Sequence, residues 1–189
     1  MSPPNTALLL IDVQQSFVHR PYWSVADVPT FLDKTNTLIT GAGARGVPIV
    51  RIFHTESAGE FSVASGHVRA LDGLAPFEAA ATFEKQRHSA LVGTGLAVWL
   101  HQHSIGRLIV CGIRTEQCCE TTTRQASDEG WAVDYVTEAT LTFDMSTPSG
   151  ERLSAAQIRE RTATVLAGRF ATLCTVPEAL QRTTAITMP

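Results

Sequence analysis

Ala7-Leu8-Leu9-Leu10-Ile11 is an unbroken apolar run that stops at Asp12. A strand with one wet face alternates apolar and polar residues; a continuous run marks a strand buried on both faces. The chain must therefore supply helices to cover both sides of its sheet. Residues from Val28 to Ala44 carry helical patterning and precede Gly46, a C-terminal stop. Val47 to Phe53 reads as a second strand, and a short third one is expected to end near Phe83-Glu84-Lys85. Leu91 to His103 reads as helix. Arg107 to Gly112 reads as strand, with Leu108-Ile109-Val110-Cys111 at its centre. Thr115 to Glu129 reads as helix closed by Gly130, and Trp131 to Val136 as an alternating strand. Residues 154 to 167 read as helix, and Phe170 to Val176 as the last strand. Residues 54 to 80, with Gly59, Gly66, Gly73 and Pro76, are irregular. They are long enough that they should carry function or hold short helices. Strands interleaved with helices predict an α/β fold with a mostly parallel six-stranded sheet covered on both faces.

The 189 residues suit a single domain, 1–189. A chain this long buries roughly 70% of its unfolded surface and needs neither disulfide nor metal to fold. Fifteen basic and 18 acidic residues leave a net charge of −3, which gives no electrostatic draw toward nucleic acid or anionic membrane. No apolar run approaches the ~20 residues that span a bilayer. The opening Met1-Ser2-Pro3-Pro4-Asn5-Thr6 lacks a basic region and does not read as a signal peptide. The four cysteines, Cys111, Cys118, Cys119 and Cys174, have neither disulfide-framework nor zinc spacing. The expectation is a reduced, cytoplasmic protein. Only two of the basic residues are lysines, Lys34 and Lys85, which singles each of them out.

In open parallel sheets the site lies beyond the C-terminal ends of the strands, where the strand order reverses. Three chemically able groups follow strands: Asp12, Lys85, and Cys118 within Gly112-Ile113-Arg114-Thr115-Glu116-Gln117-Cys118. A thiol at a helix N-terminus meets the positive end of the dipole, which favours the thiolate. The same turn aims backbone N–H groups at one spot, as an oxyanion requires. Asp12 is a candidate base, and Lys85 a candidate partner that keeps it ionised. Each has a plainer reading as well. Asp12 could be an Asx-turn residue, Lys85 a solvated surface group, and Cys118 core. Core packing is the expectation for Cys111, Cys119 and Cys174. His19 and His88 border the candidate pocket or are solvated; His101 and His103 suit a helix C-terminus.

Three segments in order resemble the isochorismatase-like cysteine hydrolases. They are Leu10-Ile11-Asp12-Val13-Gln14-Gln15-Ser16-Phe17, Phe83-Glu84-Lys85, and Gly112 through Cys118. Thr121 to Gly130 and Arg169 to Thr175 extend the likeness over nearly the whole chain. The resemblance implies a Rossmann-like three-layer α/β/α fold and a homo-oligomer, dimer or tetramer. It also implies an Asp12–Lys85–Cys118 triad. It further implies a cis Ile113–Arg114 peptide and an oxyanion hole from the backbone N–H groups of Arg114 and Cys118. Family nicotinamidases hold a metal through a D-x-H and a later His. Here Arg51-Ile52-Phe53-His54-Thr55-Glu56-Ser57 has no D-x-H, so neither metal nor cofactor is expected. Isochorismate hydrolases of the family lack the cysteine that this chain has.

The resulting expectation is hydrolysis of an amide-type C–N bond in a small-molecule substrate. Cys118 attacks, Asp12 takes its proton and gives it to the leaving amine, and water then cleaves the thioester with Asp12 again as base. Phe17, Trp23 and His54 are the expected pocket walls. The alternatives are a non-amide hydrolase acting on a vinyl ether or ester without the thiol, and a catalytically silent binding relative. A nucleotide-binding domain is disfavoured, because no G-x-G-x-x-G follows the first strand.

Overall fold

The computed structural model describes residues 5–183. Five long or medium strands and one short one form a single parallel sheet. They are β1 (Thr6–Ile11), β2 (Ile49–His54), β3 (Ala81–Lys85), β4 (Arg107–Ile113), β5 (Ala132–Leu141) and, after a two-stranded antiparallel hairpin of β6 (Met145–Ser146) and β7 (Arg152–Leu153), β8 (Thr172–Leu173). The spatial order is β3-β2-β1-β4-β5-β8. The chain steps outward from β1 to β3, then returns to β4 on the other side of β1. The order therefore reverses between β1 and β4, and the C-terminal ends of these two strands flank the crevice.

Every residue of β1 is buried, as its apolar run requires. Leu8 and Leu10 face one core with α1 (Val28–Ala44) and α5 (Val176–Gln181), through Phe31, Leu38 and Leu180. Ala7, Leu9 and Ile11 face the other with α2 (Leu96–Gln102), α3 (Glu120–Asp128) and α4 (Ala155–Leu166), through Leu100, Ala126 and Leu166. The result is the three-layer α/β/α arrangement.

Several boundaries differ from the sequence reading. The helix expected from Leu91 begins only at Leu96, because Gly93 and Gly95 take positive φ and break the pattern. The helix expected from Thr115 opens with a single π-turn over Thr115–Cys119 before α3. The strand expected to end at Val136 runs on to Leu141. Its polar residues find partners there: Glu138 accepts from the Val176 N–H at 2.6 Å and pairs with Lys34 at 3.3 Å. The strand expected over Phe170–Val176 shrinks to two residues and gives way to α5, whose capping box at Thr175 and Glu178 starts a helix instead. Residues 54–80 hold two short 3₁₀ turns, Gly59–Phe61 and Val63–Ser65.

One glycine sets how β4 lies against β1. Gly112 has φ +132°, and a Cβ there would come within 1.9 Å of the Ile11 carbonyl oxygen. Neither atom can move without separating the two strands at the reversal point. Gly112→Ala is therefore expected to destabilise the fold by more than about 2 kcal/mol, read as a lowered unfolding midpoint or an insoluble product.

Candidate active site

The D-x-Q segment after β1 builds the floor of the crevice. Asp12 sits at φ +52°, a left-handed conformation that Asp tolerates better than most residues, and it turns the chain sharply as it leaves the sheet. Gln14, fully buried, then ties this turn to the end of β2. Its Oε1 accepts the His54 N–H at 2.8 Å, and its Nε2 donates to the His54 carbonyl at 3.1 Å and to Ser16 Oγ at 2.9 Å. The ends of β1 and β2 are thus locked together, with His54 as the last residue of β2.

His54 lies beside Lys85 in the β2–β3 register. From β3 the Lys85 side chain reaches across the end of β2. Its ammonium lies 2.7 Å from Asp12 Oδ2, 3.2 Å from Cys118 Sγ and 3.3 Å from His54 Nδ1. An ammonium has three protons, and here three acceptors surround it. The Asp12 and Lys85 side chains are both wholly buried. Burial works against the Lys85 charge, but Asp12 and Cys118 outweigh it and hold its pKa above the ordinary value. Burial also works against the His54 charge, and the neighbouring ammonium adds to it, so the imidazole titrates below its usual range. A neutral ring that accepts from Lys85 at Nδ1 carries its proton on Nε2, which faces Glu56 Oε1 at 3.4 Å.

β4 and β5 supply the third side. The Ile113–Arg114 peptide is cis, as the resemblance implies. The Arg114 carbonyl accepts the N–H groups of Gln117 and Cys119, each at 3.2 Å, which closes the π-turn around Cys118. The extra length of β5 pins this turn from behind. Tyr135 donates its hydroxyl to the Thr115 carbonyl at 2.9 Å, Thr115 Oγ1 bonds Thr140 Oγ1 at 2.8 Å, and Thr142 Oγ1 donates to Glu116 Oε2 at 2.6 Å. The Arg114 guanidinium pairs with Glu116 at 2.9 Å and lies over Tyr22 and Phe143, at 4.9 and 5.8 Å from their ring centres. Its side chain braces the turn.

The structure thus brings Asp12, Lys85 and Cys118 together, with His54 beside them. It places the other two expected pocket residues further back. Phe17 is buried in the core and packs edge-on against Phe61, which in turn meets His54 at 5.6 Å. Trp23 is half-buried against Phe143. His88, read from the sequence as a pocket border or a solvated group, stands at the border: its Nδ1 lies 3.9 Å from Cys118 Sγ. Its nearness to Lys85 along the chain was the one available signal.

The expected thiolate is corrected by the structure. Burial and then the charge of Asp12 push the Cys118 thiol up to about 12, and Lys85 opposes them only in part. A helix end favours the thiolate where the thiol is open to water; this one is 6% exposed and faces a carboxylate. Burial likewise raises the Asp12 pKa, against the pull of Lys85 and Cys118. The resting cluster is an ion pair with a neutral thiol.

Among the described residues one group has the composition of a metal site: His19, Glu60 and His67, with ligand atoms within 4.8 Å of one another. The two imidazoles stack at 3.7 Å with planes 10° apart, and His67 Nδ1 bonds Glu60 at 2.7 Å. Lone pairs lying in two parallel ring planes do not converge on one ion as these rings stand.

The raised thiol fixes the sign of a pH experiment. Thiolate is scarce at neutral pH, so alkylation of Cys118 should be slow there and rise steadily as pH increases toward 12. Asp12→Asn removes the charge that opposes the free thiolate and should move the midpoint of the labelling-against-pH curve downward. Lys85→Met removes a charge that opposes Asp12 and should move the midpoint upward. Peptide mass spectrometry reads both curves, and shifts in the reverse directions would overturn this account of the cluster.

The family model for the isochorismatase domain matches residues 6–170. YrdC, an isochorismatase-family protein of Bacillus subtilis, is 23% identical over 174 residues, 91% of this chain and 92% of YrdC. Streptothricin hydrolase of Streptomyces noursei is 28% identical over 142 residues, 74% of this chain and 50% of the hydrolase. The crystal structure of an isochorismatase-type protein from Burkholderia xenovorans superposes with a TM-score of 0.86 at 28% identity, covering 96% of this chain and 88% of that one. The matched segment holds Asp12, Lys85 and Cys118, and the chain belongs to the isochorismatase family.

Proposed function

We propose that the protein is a cysteine hydrolase that cleaves an amide-type C–N bond of a small molecule through a thioester on Cys118. One observation carries the reading: a buried ammonium lies 2.7 Å from a carboxylate and 3.2 Å from a thiol, at the point where the strand order reverses. A structural cysteine has no use for a buried ion pair beside it. A covalent catalyst needs a base to take its proton and a fixed charge to stabilise what forms.

In this reading Asp12 takes the thiol proton as sulfur attacks the carbonyl carbon. The carbonyl oxygen becomes an oxyanion held by the backbone N–H groups of Arg114 and Cys118. The C–N bond then breaks, Asp12 returns the proton to the leaving amine, and water hydrolyses the thioester. The raised Asp12 pKa suits this exchange, because a carboxyl that holds a proton briefly must not be too weak a base. The same reading holds the protein to be a cytoplasmic homo-oligomer, in keeping with four free, buried cysteines.

The relative named streptothricin hydrolase supports hydrolysis of a small molecule without naming the bond broken here. The test is a panel of small carboxamides, esters and vinyl ethers, with amine or ammonia release measured for the wild type and for Cys118→Ala. Amide cleavage that falls at least ~10³-fold in the variant is the expected result. Cleavage of only esters or vinyl ethers, undiminished in Cys118→Ala, would instead establish a thiol-independent hydrolase.

A further inference from the structure

We propose that His88 is the general base of the second half-reaction, activating the water that hydrolyses the Cys118 thioester in place of Asp12. The proposal rests on the thioester reading above and divides its two halves between two bases.

The division follows from where the two groups stand relative to water. The Asp12 side chain is wholly buried and sits against Lys85. It is well placed for a proton that is already on Cys118. It is poorly placed for one that arrives on a solvent molecule, because water would have to displace the ion pair to reach it. His88 has the opposite placement. It is exposed, and its Nδ1 lies 3.9 Å from Sγ. A water about 2.8 Å from that nitrogen can lie within the roughly 3–3.5 Å of the thioester carbon that attack requires.

The position of His88 is built by its neighbours. The segment that follows it is fastened to α3, where Thr122 Oγ1 accepts the Ala90 N–H at 3.0 Å. Thr94 Oγ1 donates to the Ala90 carbonyl at 2.6 Å, and Ser89 Oγ accepts the Leu91 N–H at 3.2 Å. Ser89, Ala90 and Leu91 are buried, so the anchor beneath the exposed imidazole is fixed. The ring hangs over the nucleophile from a held backbone.

The step balances. Neutral His88 takes one proton from water as the oxygen bonds to the thioester carbon. The tetrahedral oxyanion collapses and the C–S bond breaks. The departing sulfur receives the proton that His88 holds, and the acyl group leaves as a carboxylic acid. Asp12, already returned to its carboxylate by the leaving amine, does not take part.

The test uses p-nitrophenyl acetate as the acyl donor with the wild type, His88→Gln and Cys118→Ala. Rapid-quench mass spectrometry follows the rise and loss of the acetyl group on Cys118. In His88→Gln the adduct should form within a few-fold of the wild-type rate and be lost at least ~10²-fold more slowly, so that acetyl-Cys118 accumulates. Hydroxylamine, a nucleophile that needs no base, should clear the adduct equally fast from both proteins, which a merely structural role for His88 would not give. Loss of the adduct at the wild-type rate would overturn the proposal. So would formation and loss slowed together, or slowed clearance by hydroxylamine. No adduct on Cys118 in either protein, with p-nitrophenol release unchanged in Cys118→Ala, would overturn the thioester reading itself and this proposal with it.

Discussion

Lys85 brings a positive charge into a place without water, and three strands have to end in register to receive it. β3 delivers the side chain, β2 ends in the imidazole it passes, β1 ends in the carboxylate it pairs with, and the turn after β4 presents the sulfur. Removing one partner of a buried ion pair typically costs ~3–5 kcal/mol, because the remaining charge is left uncompensated. The pair therefore constrains its surroundings. An ammonium is a compact charge with three freely directed protons, and the three acceptors here lie in three directions. A planar guanidinium would present its donors in a fixed fork that these positions do not match. That explains why a lysine stands here in a chain whose other basic residues are nearly all arginine.

The rest of the crevice serves to hold those strand ends. Gln14 binds the backbone of His54 on both sides and so couples the exits of β1 and β2. Gly112 lets β4 approach the Ile11 carbonyl closely enough for the turn that follows to meet Asp12 and Lys85. The long β5 fixes that turn through Tyr135, Thr140 and Thr142. None of these groups reacts in the proposed chemistry, and each removes a freedom that would loosen the contacts of Lys85.

Much of this was legible in the sequence, and the exceptions have physical causes. The Ala7–Ile11 run could only be a strand buried on both sides, and Asp12, Lys85 and Cys118 stood out because each follows a strand. The far end of β5 was hidden because the alternation of apolar and polar residues stops at Val136; Glu138 and Thr140 find their partners at Val176 and Thr115, distant in sequence. α5 was hidden because its capping signal falls inside an apolar run that also suits a strand. For His88 the sequence left two places open, pocket border or solvent, because the segment after it is anchored by a hydrogen bond between Ala90 and Thr122, which no local pattern encodes. The protonation of Cys118 was misread for a different reason. The dipole of a helix end is a modest effect near the surface, and a buried carboxylate, whose place no local pattern gives, faces the same sulfur.

That last point bears on how such a cluster can react. Ionising Cys118 alone would add a second negative charge to a site that already holds Asp12, and burial opposes it. Moving the thiol proton onto Asp12 adds none. Before the transfer the site holds a carboxylate, an ammonium and a neutral thiol; afterwards it holds a neutral carboxyl, an ammonium and a thiolate. The buried charge is one positive and one negative in both states, and Lys85 lies within 3.2 Å of either negative partner. The low-dielectric surroundings that penalise an isolated thiolate thus leave the exchange between sulfur and carboxylate nearly unpenalised. A thiol with a pKa near 12 and a nucleophile ready to attack are compatible in one site, provided the proton has Asp12 to receive it and Lys85 holds the charge that remains.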